Sequence, residues 1–414
     1  MTLPLESPIS AQRRWTVVGL LCVGMMIAYF DRVNLSIALA SPEFKSFFRL
    51  TDIQRGALNS AFFWSYALLQ VPAGWFTDRF GVKYPYALSF LAWSVVSAAA
   101  ALAGSFWQLF ALRALLGVAE AMVTPGGMRW IRFNCSENQR GLAVGLYMAA
   151  AKVGPGVGPF LATLLLASYG WRPMFVILGL GSLIWLGPWL ALVRDDDRKL
   201  EKATAKSGAP VVAFTRILAT PAIWGIVVGT FCYQYFVYFC MTWMPAYFAE
   251  RRGLSLQDTG AYTMFSFLGM ATVATLAGWA ADRLIGRGLD PIKVRKVFIV
   301  AGFLTASTEI FGAYAQSNSA ALFWAIFSLS GLGLMTANYW ALTQTILPGT
   351  AVGRVVGVQN CAASVSGIAA SLITGWLKQA TGSYEAPMQT IWLFLLIGVA
   401  SYLFVVRKKY APAS

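Results

Sequence analysis

The chain has 414 residues and a net charge of +15; 58% of its residues are hydrophobic, 12% are charged and none is histidine. Soluble domains carry about 25% charged residues, so this composition excludes a water-soluble globular protein and predicts a polytopic membrane protein. The five cysteines form no CxxC pair and the chain has no histidine, so a metal site built from Cys and His is excluded and we expect no metal.

Twelve segments are apolar and long enough to cross the hydrocarbon core, which takes about 20 helical residues. They lie at 15–40, 56–76, 84–103, 107–128, 141–168, 173–193, 221–248, 260–282, 297–317, 321–346, 355–377 and 388–406. The predicted fold class is an all-α polytopic membrane protein with twelve transmembrane helices. The longest connection is charged and divides the spans six and six, which predicts an N-terminal six-helix bundle at 1–193, a cytoplasmic linker at 194–220 and a C-terminal six-helix bundle at 221–414.

The basic residues are concentrated on one side of the predicted membrane. Of the 32 Lys and Arg, 22 fall in segments on the side of the N-terminus and seven on the opposite side. Because the positively charged side is cytoplasmic, both termini are predicted to lie in the cytoplasm. The same bias accounts for the net charge, so we expect the lipid bilayer as a partner and no nucleic-acid binding.

A short motif follows the second span and occurs again after the eighth. Gly74-Trp-Phe-Thr-Asp78-Arg79 is matched by Gly278-Trp-Ala-Ala-Asp282-Arg283, 204 residues later. The repeat predicts two corresponding halves. Gly74 is expected to let two helices approach closely, and Asp78 and Arg79 are placed to pair with helix ends.

The first copy of this motif resembles the loop between the second and third helices of the major facilitator superfamily. The resemblance covers the whole chain and implies two six-helix bundles that rock about a central site. It also implies that the loop latches one end of the transporter. The residues of this gating loop and its second copy are Gly74, Asp78, Arg79, Gly81, Lys83, Asp282 and Arg283.

Six ionisable residues fall inside predicted spans, where each costs about 2.5–3.5 kcal/mol at the bilayer centre on an insertion scale. They are Asp31, Arg32, Arg113, Glu120, Lys152 and Glu309. Arg113 and Glu120 share a face of the fourth span but are one turn too far apart for a direct bond, so we expect Asp31 or Arg32 between them. Asp31 is turned about 100° from Arg32, so Arg32 is expected to face a cavity and Asp31 a neighbouring helix of its own bundle.

The run Tyr29-Phe-Asp31-Arg32-Val-Asn34-Leu-Ser36 resembles the first helix of the anion:cation symporter family, a branch of that superfamily that includes bacterial sugar-acid symporters. Arg113-x6-Glu120, Thr242-Trp-Met-Pro245 and Gly357-Val-Gln-Asn360 resemble its fourth, seventh and eleventh helices. The resemblance implies a monomer in the bacterial inner membrane, with H⁺ as the coupling ion and no cofactor.

The resemblance also implies roles for individual residues. Arg32 binds the substrate carboxylate with Tyr29 and Tyr66 beside it. From the C-terminal half, Trp340 and Asn360 hold the polar body of the substrate. The proton-coupling residues are Asp31 and Glu120, with Arg113 modulating Glu120.

Two further candidates line the same predicted cavity. Gln234 shares a face with Tyr238 in a tyrosine-rich seventh span, although an interfacial aromatic belt is an alternative explanation of these tyrosines.

Lys152 needs a partner in the membrane: either Asp31 or Glu120, or a second acidic group on the substrate. The resembled sugar-acid carriers lack this lysine and have a Gln near Ala151 and a Ser near Ala337, which are absent here. These differences leave open a less hydroxylated, more apolar or more acidic anion. Glu309 is predicted to be structural.

The leading prediction is a secondary active transporter, not an enzyme, that takes up an organic carboxylate such as a sugar acid together with protons, by alternating access. A drug/proton antiporter is the alternative, because Gly145-x8-Gly154-x3-Gly158-Pro159 resembles most of the antiporter signature. A membrane sensor is less favoured, since no loop offers a signalling domain.

Overall fold

The structure, a computed structural model, describes residues 9–194, 219–346 and 349–407. Its first six long helices are α1 Ala11–Ala40, α2 Asp52–Phe80, α3 Lys83–Leu102, α4 Phe106–Asn134, α5 Gln139–Tyr169 and α6 Trp171–Leu192. Its last six are α7 Pro221–Thr242, α8 Leu256–Gly286, α9 Pro291–Tyr314, α10 Asn318–Ile346, α11 Val355–Thr381 and α12 Glu385–Val405. Most of the predicted linker at 194–220 lies outside the described residues.

Eleven of these helices are long and apolar enough to cross a membrane. The eleven do not include α2, but its 29 residues extend over about 43 Å at 1.5 Å per residue, more than a hydrocarbon core requires. Because α2 lies at the predicted second span, the structure confirms the predicted all-α polytopic fold.

The ends of α2 show how local sequence sets the helix boundaries. Thr51 and Gln54 form a capping box, in which each side chain accepts a hydrogen bond from the other residue's backbone N–H, at 3.2 and 3.0 Å. The helix stops at Gly81, whose φ of 81° lies in the left-handed region that favours glycine. The predicted loop residue Gly81 is therefore the helix terminator.

The helices pack in pairs. In the first six, α1 packs on α5, α2 on α4 and α3 on α6; in the last six, α10 packs on both α8 and α9, and α7 on α11. Two pairs, α2 with α11 and α5 with α8, join the two halves. A Cβ at Gly56 would lie 2.5 Å from the Ser371 carbonyl oxygen, and one at Gly375 would lie 2.5 Å from the Asp52 carbonyl oxygen. The backbones of α2 and α11 are therefore in direct contact at the end that the sequence predicts to face outward, called the outer end below.

An ion-pair cluster ties the two halves together at the outer end. Glu250, after α7, forms ion pairs with Lys45 at 2.6 Å and with Arg55 and Lys378 at 2.9 Å each, and it accepts a hydrogen bond from the Tyr384 hydroxyl at 2.9 Å. Asp52 pairs with Arg55 at 2.6 Å and with Lys378 at 2.9 Å. The members of this outer cluster are Lys45, Asp52 and Arg55 from the first half and Glu250, Lys378 and Tyr384 from the second.

The electrostatics of the outer cluster favour its ionised form. Partial burial raises the pKa of the Glu250 carboxyl, but the charges of Arg55, Lys45 and Lys378 outweigh that effect and hold the pKa at about 2. Glu250 therefore remains a carboxylate throughout the physiological pH range.

The opposite, inner end is different. No hydrogen bond or ion pair between two described residues joins the halves there. Apart from the chain neighbours and the nearby backbone of the same helix, no atom of a described residue lies within 4 Å of a Cβ placed at Gly74 or at Gly357. The expectation that Gly74 allows a close helix contact is therefore wrong for this structure, because α2 and α11 meet at their outer ends and not at their inner ends.

The two copies of the repeated motif adopt matching conformations at the inner end. The Arg79 guanidinium lies 5.6 Å from the centre of the Trp75 ring, and that of Arg283 lies 5.4 Å from the Trp279 ring. In the second copy, Asp282 pairs with Arg295 of α9 at 3.0 Å. Lys83 begins α3, with its ammonium 5.3 Å from the Tyr84 ring. The side chain of Asp78 lies outside the described part of the structure.

Candidate functional site

Arg32, eight residues before the end of α1, is the centre of the candidate site. It is 6% exposed, and its Nε donates to Glu120 Oε2 of α4 at 2.6 Å. The guanidinium carbon lies 4.6, 5.0 and 4.7 Å from the ring centres of Tyr29, Phe62 and Tyr66. These cation–π contacts hold the guanidinium in place, while its Nη2 is buried with no hydrogen-bond partner in the described ranges.

Asp31 and Arg113 lie behind this pair. The Asp31 carboxylate is fully buried; its Oδ1 accepts hydrogen bonds from Ser97 of α3 and, at 3.4 Å, from Asn34. Arg113 donates to the backbone carbonyls of Asp31 at 3.0 Å and Arg32 at 3.3 Å. Arg113 therefore fixes the α1 backbone at the site, and its described hydrogen bonds do not include the Glu120 carboxylate.

The helical spacing left open whether Asp31 or Arg32 lies between Arg113 and Glu120, and this geometry decides between them. Arg32 is the group between Arg113 and Glu120, since its side chain binds the glutamate and its carbonyl accepts from the arginine. Asp31 faces α3 of its own half, as its rotation from Arg32 predicted. Sequence reasoning missed Ser97 and Phe62; only the packing of α3 and α2 onto α1 reveals them.

Lys152 lies beside this arginine site, on α5. Its side chain is half-buried, and its ammonium lies 5.4 Å from the centre of the Tyr233 ring of α7. Within the described ranges no carboxylate lies within 4 Å of the ammonium. The predicted pairing with Asp31 or Glu120 is therefore not formed in this structure.

Aromatic residues of α7 cover the site from the second half. The Tyr238 ring packs on Phe63 of α2 with 4.5 Å between centres. The Tyr233 hydroxyl lies 3.0 Å from Thr336 Oγ1 of α10. Of the tyrosine-rich run, the structure brings Tyr233 into contact with the Lys152 ammonium and Tyr238 into contact with Phe63, whereas the sequence pattern selects Gln234.

The other predicted residues of the second half lie further along this wall. Gln234, Trp340 and Asn360 are half-buried. The Trp340 ring contacts Tyr339 at 4.8 Å, and Gln234 Oε1 is buried without a partner among the described atoms. No contact between Arg32 and Trp340 or Asn360 is present in the described structure, so their part in substrate binding stays a prediction.

Glu309 is remote from these groups. It is 4% exposed and lines a small pocket with Phe236, Phe239, Cys240 and Met244 near the outer end of α7. Cys240 is two helical turns, about 10 Å, along α7 from Tyr233. Neither carboxyl oxygen of Glu309 has a hydrogen-bond partner among the residues described.

Helices of this length, a paired charge network within the membrane and a junction between two halves together define a multi-pass membrane transporter. The chain belongs to the Major Facilitator Superfamily, whose family model matches residues 21–371.

Two curated relatives illustrate the similarity. The chain is 29% identical to the D-galactonate transporter of Escherichia coli, with 98% of each chain covered. It is also 29% identical to the probable sulfoacetate transporter of Cupriavidus necator, with 95% of this chain and 94% of that protein covered.

Two solved structures share the fold. A bacterial homolog of the human lysosomal transporter Spinster aligns with a TM-score of 0.82 at 18% identity, covering 98% of this chain and 100% of the other. The D-xylose-proton symporter aligns with a TM-score of 0.78 at 15% identity, covering 96% and 99%. At these identities the likeness concerns the fold alone.

Proposed function

We propose that the protein is a proton-coupled symporter that takes up an organic carboxylate, such as a sugar acid, by alternating access. The observation that carries this proposal is the Arg32 guanidinium. It is buried, held by three aromatic rings, bound to Glu120 through Nε only, and has an unpartnered Nη2. A planar guanidinium with free N–H groups is suited to bind a carboxylate. The names of the two curated relatives, a D-galactonate transporter and a probable sulfoacetate transporter, are consistent with this substrate class.

Competition for one guanidinium supplies the coupling. A substrate carboxylate at Arg32 would lie close to the Glu120 carboxylate, and two like charges 4 Å apart repel by about 4 kcal/mol at an effective dielectric constant of 20. A proton on Glu120 removes that repulsion and releases Nε from its ion pair. Anion binding and proton binding therefore favour each other, and the linkage is reciprocal. Asp31, which also has an unpartnered oxygen, is the second proton-binding candidate.

The difference between the two ends supports alternating access. The outer cluster joins Lys45, Asp52 and Arg55 to Glu250 and Lys378, whereas the inner end has no such link between described residues. With both termini in the cytoplasm of a bacterial cell, this arrangement is an inward-open state. The bundles at 1–193 and 221–414 would then rock to break the outer cluster and bring the two inner motif copies together.

The glycines that resemble the antiporter signature have a packing explanation. A Cβ at Gly154 would lie 2.7 Å from Tyr29 Cβ, and one at Gly158 would lie 2.9 Å from the side chains of Phe30 and Val33. These glycines allow α5 to pack closely against α1, and no observation at the site favours a cationic drug.

Transport by purified protein in proteoliposomes tests the proposal. An inward proton gradient is expected to drive labelled sugar acids or other small organic acids above equilibrium, and a protonophore should abolish that accumulation. Neutral sugars of the same size and cationic drugs serve as controls. Uptake of every anion independently of the proton gradient, or proton-driven export of a drug, would contradict the proposal.

A further inference from the structure

Lys152 leaves the candidate site with a positive charge that no described side chain neutralises. Around the site lie three cations, Arg32, Arg113 and Lys152, and two carboxylates, Asp31 and Glu120. Glu120 is taken by Arg32, and Asp31 is held by Ser97 and Asn34. Glu309, a buried carboxylate of α9, lines a separate pocket. An uncompensated charge in a membrane span is costly unless a cavity or a ligand supplies its counter-charge.

Lys152 and Arg32 lie on two helices that pack closely on each other, α5 and α1. Gly154 brings α5 against Tyr29 of α1, and the Tyr29 ring is in contact with Arg32. The Lys152 ammonium is in contact with the Tyr233 ring of α7. Tyr233 and Tyr238 cover this region from the opposite half.

Resting on the proposed function, we propose that the transported anion carries two acidic groups, one bound by Arg32 and the other by Lys152. The chemical class is a compact organic dianion with a short chain between its acids. Protonation of Glu120 during coupling raises the net charge of these five side chains from +1 to +2. A dianion neutralises that charge, whereas a monoanion leaves Lys152 without a counter-charge.

The tyrosines around the two cations are suited to such a ligand. Their rings hold Arg32 and Lys152 by cation–π contacts without consuming N–H donors. The guanidinium offers a fork for one carboxylate, and the ammonium is a point charge that accepts a second acid in several orientations. Lys152 would therefore distinguish dianions from monoanions, while Arg32 would bind the carboxylate that both kinds of anion carry.

The test compares acids of equal size that differ by one charge. Glutarate and its monoamide, glutaramate, form one pair, and glucarate and gluconate form a second. Their binding to the purified full-length protein is measured by competition or by calorimetry near neutral pH, for the wild type, Lys152→Met, Lys152→Arg and the control Lys293→Met. Lys293 is exposed at the inner end of α9, so its substitution controls for the loss of a lysine as such.

The wild type is expected to prefer the diacid of at least one pair by tenfold or more. Lys152→Met should remove that preference while monoacid binding persists, Lys152→Arg should largely retain it, and Lys293→Met should match the wild type. Absence of a diacid preference in the wild type, or an equal loss for both acids in a folded Lys152→Met protein, would overturn the assignment. If no anion of either kind binds the wild type, the proposed function fails, and this inference with it.

Discussion

The two halves of the protein treat buried charge differently. In the first six helices, Asp31, Arg32, Arg113 and Glu120 are joined by hydrogen bonds to one another, to the backbone and to Ser97. In the last six, Glu309 is buried with no described partner for either oxygen. What the second half brings to the site is aromatic: Tyr233 and Tyr238.

This difference predicts that the two halves have different roles in the transport cycle. Charges within a span are tolerated when they are paired, and only a pair that can be exchanged couples one ligand to another. Under the proposed function, the exchangeable pair is Arg32 and Glu120 of the first half, and the second half supplies the wall against which the ligand would be enclosed. Substitutions that move charge in the first half are therefore expected to affect transport most.

Arg32→Lys is expected to have the largest effect. The ammonium keeps the charge next to Glu120 but loses the planar fork, so anion affinity should fall by about 10- to 100-fold, equivalent to about 1.4–2.7 kcal/mol. Binding of the best transported anion to purified protein measures the change. Arg287→Lys, at an exposed position after α8, is the matched control. An unchanged affinity in Arg32→Lys would exclude bidentate binding at this residue.

Asp31→Asn and Glu120→Gln should separate binding from coupling. Both substitutions remove a proton-binding group while leaving Arg32 in place, so proton-driven accumulation should be lost and exchange of internal for external anion should persist. In Glu120→Gln, Arg32 no longer has a competing carboxylate. Anion affinity in that variant should therefore stop increasing as pH falls, in contrast to the wild type.

Measurements of accumulation and of exchange in the same proteoliposome preparation check this prediction. Accumulation at wild-type levels in both variants would show that neither carboxylate carries the coupled proton, and would place coupling outside the first half.

The sequence allowed some of these features to be predicted and not others. Helical spacing predicted that Arg113 and Glu120 need a third group, and the structure places Arg32 there. Spacing along one helix says nothing about which neighbour it meets, so the Ser97 contact with Asp31 was missed. The predicted close helix contact at Gly74 was wrong for a related reason. The packing at the inner end of a transporter depends on its conformational state, which the sequence does not determine.

The outer cluster was missed because its members are far apart in the chain. Glu250 binds Lys45, Arg55 and Lys378, and each of these residues lies near a span boundary where charge is ordinary. Only the meeting of α2 with α11 identifies them as a set.

Glu250→Gln tests whether charge in the second half acts on conformation instead of on coupling. An amide carries no negative charge and cannot form the ion pairs with Lys45, Arg55 and Lys378. Because hydrogen bonds to charged groups contribute about 1.5–3 kcal/mol, the ratio of closed to open outer ends should fall by about 10- to 100-fold. Cross-linking of cysteines at Ile53 and Gln379, in a background without the five native cysteines, measures closure. The backbone N–H of Ile53 donates to Gln379 Oε1 at 3.1 Å, so the two positions adjoin. Glu43→Gln, exposed at the same end, is the control.

The same cross-link should be insensitive to pH over the physiological range. The pKa of Glu250, about 2, is below the ordinary value of a glutamate. A lowered pKa gives stabilisation that is complete above about pH 4.5 and is lost only as pH falls toward 2. Wild-type closure should therefore be equal at pH 8 and pH 5. A loss of closure between these values would place a titrating group in the outer cluster.

Glu309→Gln is expected to have the smallest effect, although it removes a buried acid from a span. The carboxyl has no described partner whose pairing it exchanges, and its pocket is formed by Phe236, Phe239 and Met244, away from Arg32. Proton-driven accumulation should remain within about twofold of the wild type, and thermal stability should be unchanged or slightly higher, because an amide in place of a buried carboxyl has no charge to desolvate. Glu120→Gln, measured in the same preparation, is the matched carboxyl-to-amide change in the first half. If Glu309→Gln abolished accumulation as Glu120→Gln is expected to do, coupling would extend into the second half and the division of labour between the halves would not hold.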